Sequence, residues 1–192
     1  MYIISGTHRH KRLKTPKGTE TRPTSSRLRE ALFNICQGFI ENARFLDLFA
    51  GSGAMGLEAL SRGASFATFI DQSLEAIRCI QHNINNLQVE SQSQVLKGDI
   101  FRMLTILKKQ SQPFDIIYVD PPYHSPSKEL SVPYSVALIQ WIDQNQLLAS
   151  GGTLFIEEAY AYPPSLSDLT HLQLKNERRF GSTILQQYTS SH

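Results

Sequence analysis

A chain of 192 residues with 41% apolar side chains is long enough to bury one core, and a mean hydropathy of -0.25 excludes a chain dominated by membrane spans. No apolar run approaches the roughly 18 residues of a spanning helix, and the opening MYIISGTHRHKRLK carries its charge after a short apolar run, the reverse of a secretory signal. The net charge of +2 conceals an asymmetry, because residues 1–30 carry +6 and the remainder −4; this points to a polyanion partner, with a solvated basic tail as the competing explanation.

Two cysteines, Cys36 and Cys79, form no close-spaced pair, and neither they nor the six histidines show zinc spacing. Reduced, buried thiols, no metal and a cytoplasmic location are expected.

In chain order, Tyr2–Ser5 and His8–Leu13 predict a short hairpin around Gly6. Lys14–Thr24 mixes Pro, Gly and Thr without a period and predicts a loop. Thr24, Ser25 and Ser26 offer N-caps for a helix from near Arg27, with Leu28, Ala31, Leu32 and Ile35 on its apolar face and Gly38 as its stop.

From Arg44 the rhythm alternates. Strands are expected at 44–50, 66–71, 93–98, 114–120 and 151–159. Helices are expected from the 53–63 turn onward, at 73–87 (Leu74, Ile77, Ile80 and Ile84 on one face), at 100–109 and at 134–148. Residues 172–180 and 182–188 close as a hairpin around Gly181. Strands alternating with helices imply an α/β fold with a mostly parallel sheet. Ligands of such sheets bind beyond the carboxyl ends of the strands.

Four strand ends carry distinctive residues. DLFAGSGAMG, Asp47–Gly56, places Gly51, Gly53 and Gly56 as G-x-G-x-x-G between strand and helix, where glycine permits a tight turn and close approach of a ligand. Asp47 would repel a pyrophosphate there and suits a cationic ligand, which favours S-adenosylmethionine over a dinucleotide. Asp71 ends the next strand and is placed to accept both ribose hydroxyls of an adenosine, with a helix cap as its alternative role. Asp99 ends the third strand and suits an adenine amino group, flanked by Ile100 and Phe101; it too can cap the following helix. The expected cofactor-binding set is Asp47, Phe49, Gly51, Gly53, Gly56, Asp71, Asp99 and Ile100.

The fourth strand ends in DPPY, Asp120, Pro121, Pro122 and Tyr123. An amino group on a heterocycle is a poor nucleophile because its lone pair is delocalised into the ring. The Asp120 carboxylate and the Pro121 carbonyl can accept its two protons and aim the lone pair at a methyl donor. Positive charge then grows beside fixed acceptors. The prolines stiffen the backbone, and Tyr123 can stack on the base. These four are the expected catalytic residues.

DLFAGSGAMGLEALSRGA together with VDPPY resembles Rossmann-like class I methyltransferases, and the chain as a whole resembles the RsmD family of bacterial small-subunit rRNA guanine-N2 methyltransferases. The segment RPTSSRLREALFN, Arg22–Asn34, and the opening IISGTHRHKRL extend the likeness to the N-terminus. One departure is visible, since Ser73 stands in IDQS where many relatives carry a second acid. The resemblance implies a seven-stranded, mostly parallel sheet with helices on both faces and a small N-terminal hairpin. It implies S-adenosylmethionine as cofactor and guanine N2 at position 966 of 16S rRNA as acceptor. It also implies a monomer acting on small ribosomal subunit RNA in an assembled or assembling particle, away from membranes.

Residues 1–43 are expected to be a basic RNA-binding appendage, with Arg9, Lys11, Arg12, Lys14, Arg22 and Arg27 as contacts and Arg29 near the helix start as a further cation; residues 44–192 are the methyltransferase domain. Adenine-N6 methylation of DNA or RNA remains the alternative, and a nicotinamide-dependent oxidoreductase is a weaker one that explains neither Asp47 nor DPPY. His124–Pro133 matches no motif. His82 and His171 are expected on the surface and Trp141 in the core. Glu157 and Glu158 are expected either near the site or on a solvated edge. Arg178 and Arg179 are open to phosphate contact.

Overall fold

The computed structural model describes residues 1–16, 26–110, 112–121, 133–159 and 169–191. The chain divides into two compact units, Met1–Leu104 and Thr105–His192. Among the described residues, seven strands belong to a mostly parallel sheet, as expected from the alternation.

The first unit holds α1 (Ser26–Cys36), β1 (Arg44–Leu48), α2 (Ala54–Ser61), β2 (Phe66–Asp71), α3 (Leu74–Leu87), β3 (Ser93–Lys97) and the first turns of α4 (Ile100–Lys109). Its strands run in the order β3-β2-β1, parallel, from Arg44↔Phe66 to Leu48↔Ile70 and from Ala67↔Ser93 to Asp71↔Lys97. Consecutive residues Phe45 to Leu48 and Ala67 to Ile70 are all buried. Neighbouring side chains on a strand point to opposite faces, so both faces of these strands are covered. α2 packs on β1 and β2, and α3 on β2 and β3. The contact between α2 and β2 is close: a Cβ on Gly56 would lie 2.3 Å from the Phe69 ring, so only glycine admits this approach. Cys36 and Cys79 are buried free thiols, as expected.

The expected N-terminal hairpin forms with a single antiparallel bridge, Tyr2↔Arg12. Backbone hydrogen bonds from Ile3 N–H to the Lys11 carbonyl (3.0 Å) and from Leu13 N–H to the Met1 carbonyl (2.9 Å) close it, and α2 fixes its residues 4–8. Glu58 is fully buried, and its carboxylate accepts from the backbone N–H groups of Ile4 (2.8 Å) and Ser5 (3.0 Å). It also pairs with Arg62 at 2.8 Å and faces Arg29 at 3.8 Å. Arg29 in turn donates to the Tyr2 carbonyl at 2.6 Å. Ser61 closes the contact: its carbonyl receives Thr7 N–H and its hydroxyl receives His8 N–H. The turn lies so near that a Cβ on Gly6, at φ 84°, would sit 1.7 Å from the Ser61 carbonyl oxygen. Burial and pairing with Glu58 remove Arg29 from the expected RNA face, a correction to the sequence-based assignment.

The second unit holds the rest of α4, β4 (Phe114–Val119), α5 (Tyr134–Asn145), β5 (Leu148–Ala159), β6 (Leu172–Phe180) and β7 (Thr183–Ser190). The order is β4-β5-β7-β6, with β4/β5 parallel and β5/β7 and β7/β6 antiparallel. β5 begins at Leu148, earlier than the glycines suggested, because Leu148 pairs with Phe114 before a register shift. Glu157 and Glu158 are buried, not solvated. Glu157 accepts from the buried Tyr118 hydroxyl at 2.5 Å. Leu74 is 47% exposed, so it lies off the apolar face of its helix. Among the described residues, no helix is long and apolar enough to cross a membrane.

Replacing Glu58 by Ala leaves the Arg29 guanidinium buried beside two unpaired backbone N–H groups. Loss of one partner of a buried pair is expected to lower unfolding free energy by about 3–5 kcal/mol. Urea titration of Glu58→Ala checks this, and a loss below about 1 kcal/mol would show that the N-terminal segment is held elsewhere.

Candidate cofactor and acceptor sites

β1 leads into a turn that bends the chain sharply. Phe49 takes φ 59°, Gly51 φ 55° and Gly53 φ 75°. For phenylalanine this left-handed backbone is a strained state that the surroundings must hold in place. The fasteners are specific. Gly51 N–H donates to Asp71 Oδ2 at 2.9 Å, Gly53 N–H donates to the Ala50 carbonyl at 2.7 Å, and Asn83 Nδ2 donates to the Ser52 carbonyl at 2.9 Å.

Asp71 therefore joins the turn to the start of α3. Its Oδ1 also accepts from Ser73 N–H at 2.8 Å. Ser73, not Asp71, caps α3, its hydroxyl accepting from Ala76 N–H at 3.4 Å; this explains the serine at the departing position. Asp71 stays half-buried, and a carboxylate has about four acceptor sites, so capacity remains for two further donors. Among the described residues, a Cβ added at Gly51 would meet only the Phe49 carbonyl, at 3.9 Å, so those residues leave room for a ligand beside the turn's backbone.

Asp47 is 1% exposed, and its Oδ2 accepts from Gly56 N–H at 3.0 Å. The structure turns this carboxyl toward the first turn of α2, beneath the glycines. Burial pushes it up to about 8, opposed by the Gly56 hydrogen bond and reinforced by the charge of Asp71. Asp99 is exposed and accepts from Arg102 N–H at 3.0 Å, so it does cap α4. Ile100 is buried and Phe101 half-buried beside it. All eight expected cofactor-binding residues lie in the first unit.

Asp120 and Pro121 follow directly on β4 in the second unit, Asp120 half-buried and Pro121 buried. Pro122, Tyr123 and residues 124–132 lie outside the described residues, as does Arg22. Arg9, Lys11, Arg12, Lys14 and Arg27 are exposed, which suits phosphate contact. Arg178 and Arg179 are exposed on β6. Among the described residues, no cluster of His, Cys, Asp or Glu could hold a metal ion.

Two structurally central residues escaped the motifs. Asn83 is fully buried inside α3, and Glu58 fully buried inside α2. The available signal was a polar side chain beside an apolar stripe, at Asn83 next to Ile80 and Ile84.

Sheet, turn and helices together define a Rossmann-like class I methyltransferase fold. The model of the family described as Conserved hypothetical protein 95 matches residues 1–189, and the chain belongs to this family, the RsmD family of the sequence resemblance. The chain is 36% identical over 171 residues to YlbH of Bacillus subtilis, provisionally named an rRNA methyltransferase, covering 88% of this chain and 89% of that one. It is 34% identical over 155 residues to Ribosomal RNA small subunit methyltransferase D of Escherichia coli K12, covering 81% and 73% respectively. The solved Escherichia coli protein yhhF, provisionally named a methyltransferase, superposes with a TM-score of 0.80 at 30% identity, covering 99% of this chain and 97% of that one.

The carboxyl of Asp47 gives a pH test. Its folded value, about 8, lies above the ordinary aspartate value of 3.8, so between these values the folded chain holds a proton that the unfolded chain has lost. Its contribution to stability is full below the lower value and disappears as pH rises through about 8. Asp47→Asn keeps an acceptor for Gly56 and removes the titration. The variant is expected to gain on the wild type from pH 5 to 8 by up to about 1.4 kcal/mol per pH unit. Denaturant titrations at several pH values check this, and a pH-independent difference would place the proton elsewhere.

Proposed function

We propose that the protein transfers a methyl group from S-adenosylmethionine to an exocyclic base amine in small-subunit ribosomal RNA, with guanine N2, at position 966 of 16S rRNA, as the acceptor. The observation that carries this is the Gly51–Asp71 hydrogen bond, which makes the open glycine turn and a half-buried carboxylate one unit at the ends of β1 and β2. That unit fits an adenosine: backbone close to the ligand on one side, an acceptor for ribose hydroxyls on the other. Family membership and the rRNA-directed relatives support the substrate class.

The cofactor, when bound, supplies an electrophilic methyl group. Asp71 accepts from its ribose hydroxyls, and Asp99, with Ile100 beside it, receives the adenine. Phe49, Gly51 and Gly53 form the wall against the methionine part. Asp47 and Gly56 set the helix start beneath them.

On the acceptor side, Asp120 and the Pro121 carbonyl take the two amine hydrogen bonds. They hold the lone pair toward the methyl and stabilise the charge that grows on nitrogen. The surplus proton leaves through Asp120. Pro122 stiffens the segment and Tyr123 stacks on the base.

Residues 1–43 hold RNA and 44–192 carry the chemistry. The substrate is RNA in an assembled or assembling small subunit, met by a monomer in the cytoplasm.

Three variants separate the roles. Asp71→Ala should weaken S-adenosylmethionine binding roughly ten- to a hundredfold, since it strips acceptors from hydroxyls and from Gly51 N–H alike. Asp120→Ala should abolish methyl transfer to small-subunit RNA yet bind cofactor as the wild type does, and Asp120→Asn should retain partial turnover. Wild-type turnover in Asp120→Ala would remove DPPY from the mechanism.

The combined replacement of Arg9, Lys11, Arg12 and Lys14 by Ala should weaken subunit binding and flatten its salt dependence, because fewer phosphates are neutralised. Calorimetry should show its cofactor affinity unchanged within a few-fold. An unchanged salt slope would move the RNA face away from the hairpin.

A further inference from the structure

Asn83 deserves a role that no motif gives it. Its side chain has no solvent exposure, and every polar atom of its amide is used. Oδ1 accepts from Lys14 N–H at 2.8 Å. Nδ2 donates to the Lys14 carbonyl at 2.9 Å and to the Ser52 carbonyl at 2.9 Å. The amide thus pairs with both backbone groups of Lys14, as a neighbouring strand would, while gripping the middle of the Gly51–Ser52–Gly53 turn. The same stretch of chain reaches the turn at its other end, where the Ser52 hydroxyl lies 3.8 Å from Met1 Sδ. Cys79, one helical turn before Asn83, directs its thiol to the Lys14 carbonyl at 3.2 Å.

We infer that Asn83 is a positioning residue that sets the cofactor turn and the basic N-terminal segment as one bonded unit. It touches neither cofactor nor RNA. It acts through the Ser52 carbonyl on the turn and through the Lys14 backbone on the segment that presents Arg9, Lys11, Arg12 and Lys14. The inference rests on the assignment of the glycine turn to S-adenosylmethionine. Two consequences follow from the geometry. Freeing Ser52 lets the turn leave its strained backbone, which weakens cofactor binding. Freeing Lys14 loosens the basic segment, which weakens RNA binding, so one buried amide governs both ligands.

The test compares Asn83→Ala with the isosteric Asn83→Asp. Aspartate conserves volume and the acceptor for Lys14 N–H, but it loses the donor and sets a carboxylate oxygen against two carbonyls. A packing role predicts that Asp restores what Ala loses. The positioning role predicts that Asp is as poor as Ala or poorer.

Calorimetric titration with S-adenosylmethionine should show about tenfold weaker binding for both variants, the effect of one hydrogen bond to a buried group. Steady-state kinetics should show KM for the cofactor raised by a similar factor with kcat changed less than threefold, and binding to small subunits should weaken in both variants. Leu87→Ala, a core variant on the same helix, supplies a control for general loss of stability and should leave all three measurements near wild type.

Binding and KM within twofold of wild type in both Asn83 variants would overturn the inference, as would equal losses in Leu87→Ala. Asp71→Ala, titrated alongside, tells which idea failed. If it loses affinity while the Asn83 variants do not, only the positioning role falls; if it too binds normally, the cofactor assignment falls and takes the positioning role with it.

Discussion

The first unit is organised around one buried carboxylate. Glu58 has no exposure and stands on α2, the helix that follows the glycine turn. A charge removed from water must find partners, and Glu58 finds four: two backbone N–H groups of the opening segment, Arg62 and Arg29. Those partners come from chain positions far apart, so satisfying the carboxylate fixes the opening segment, α1 and α2 against one another. A segment with a single sheet bridge has little intrinsic stability. Here it acquires a defined place because the charge beneath it needs its N–H groups.

The turn itself shows how a strained backbone is kept. Three consecutive residues are fastened: Gly51 to the end of β2, Ser52 to the interior of α3, and Gly53 back to Ala50 within the turn. Below it, Asp47 and Asp71 place two carboxyls close enough to influence each other. Burial keeps Asp47 protonated toward neutral pH, which limits repulsion against the half-buried Asp71. The two acids have different work: one receives a helix N–H in the interior, and the other faces outward with acceptor sites to spare.

The second unit uses the same economy of polar groups. Asp143, 3% exposed on α5, accepts from three successive backbone N–H groups, those of Thr170, His171 and Leu172. This determines where β6 begins. Tyr118 and Glu157 satisfy each other inside the sheet, just before the Asp120–Pro121 strand end. Unpaired, either would cost more in desolvation than a surface residue could.

Sequence by itself determined the alternation of elements, because apolar periodicity and strand-ending glycines and acids are local signals. β2, α4 and β6 coincide with the expected ranges residue for residue, and the acids at strand ends were visible as Asp47, Asp71, Asp99 and Asp120. The tertiary structure alone decided which polar groups are interior and whom they serve. Arg29 read as a free cation and is paired, Glu157 and Glu158 were open to a solvated edge and are buried, and Leu74 read as core and is exposed. Asn83 carried no motif because its partners stand 69 and 31 residues away. Local periodicity reports which face of an element avoids water. Which buried dipole or charge finds its partner depends on chain segments brought together only by folding, and that pairing is what holds the turn and the opening segment in place.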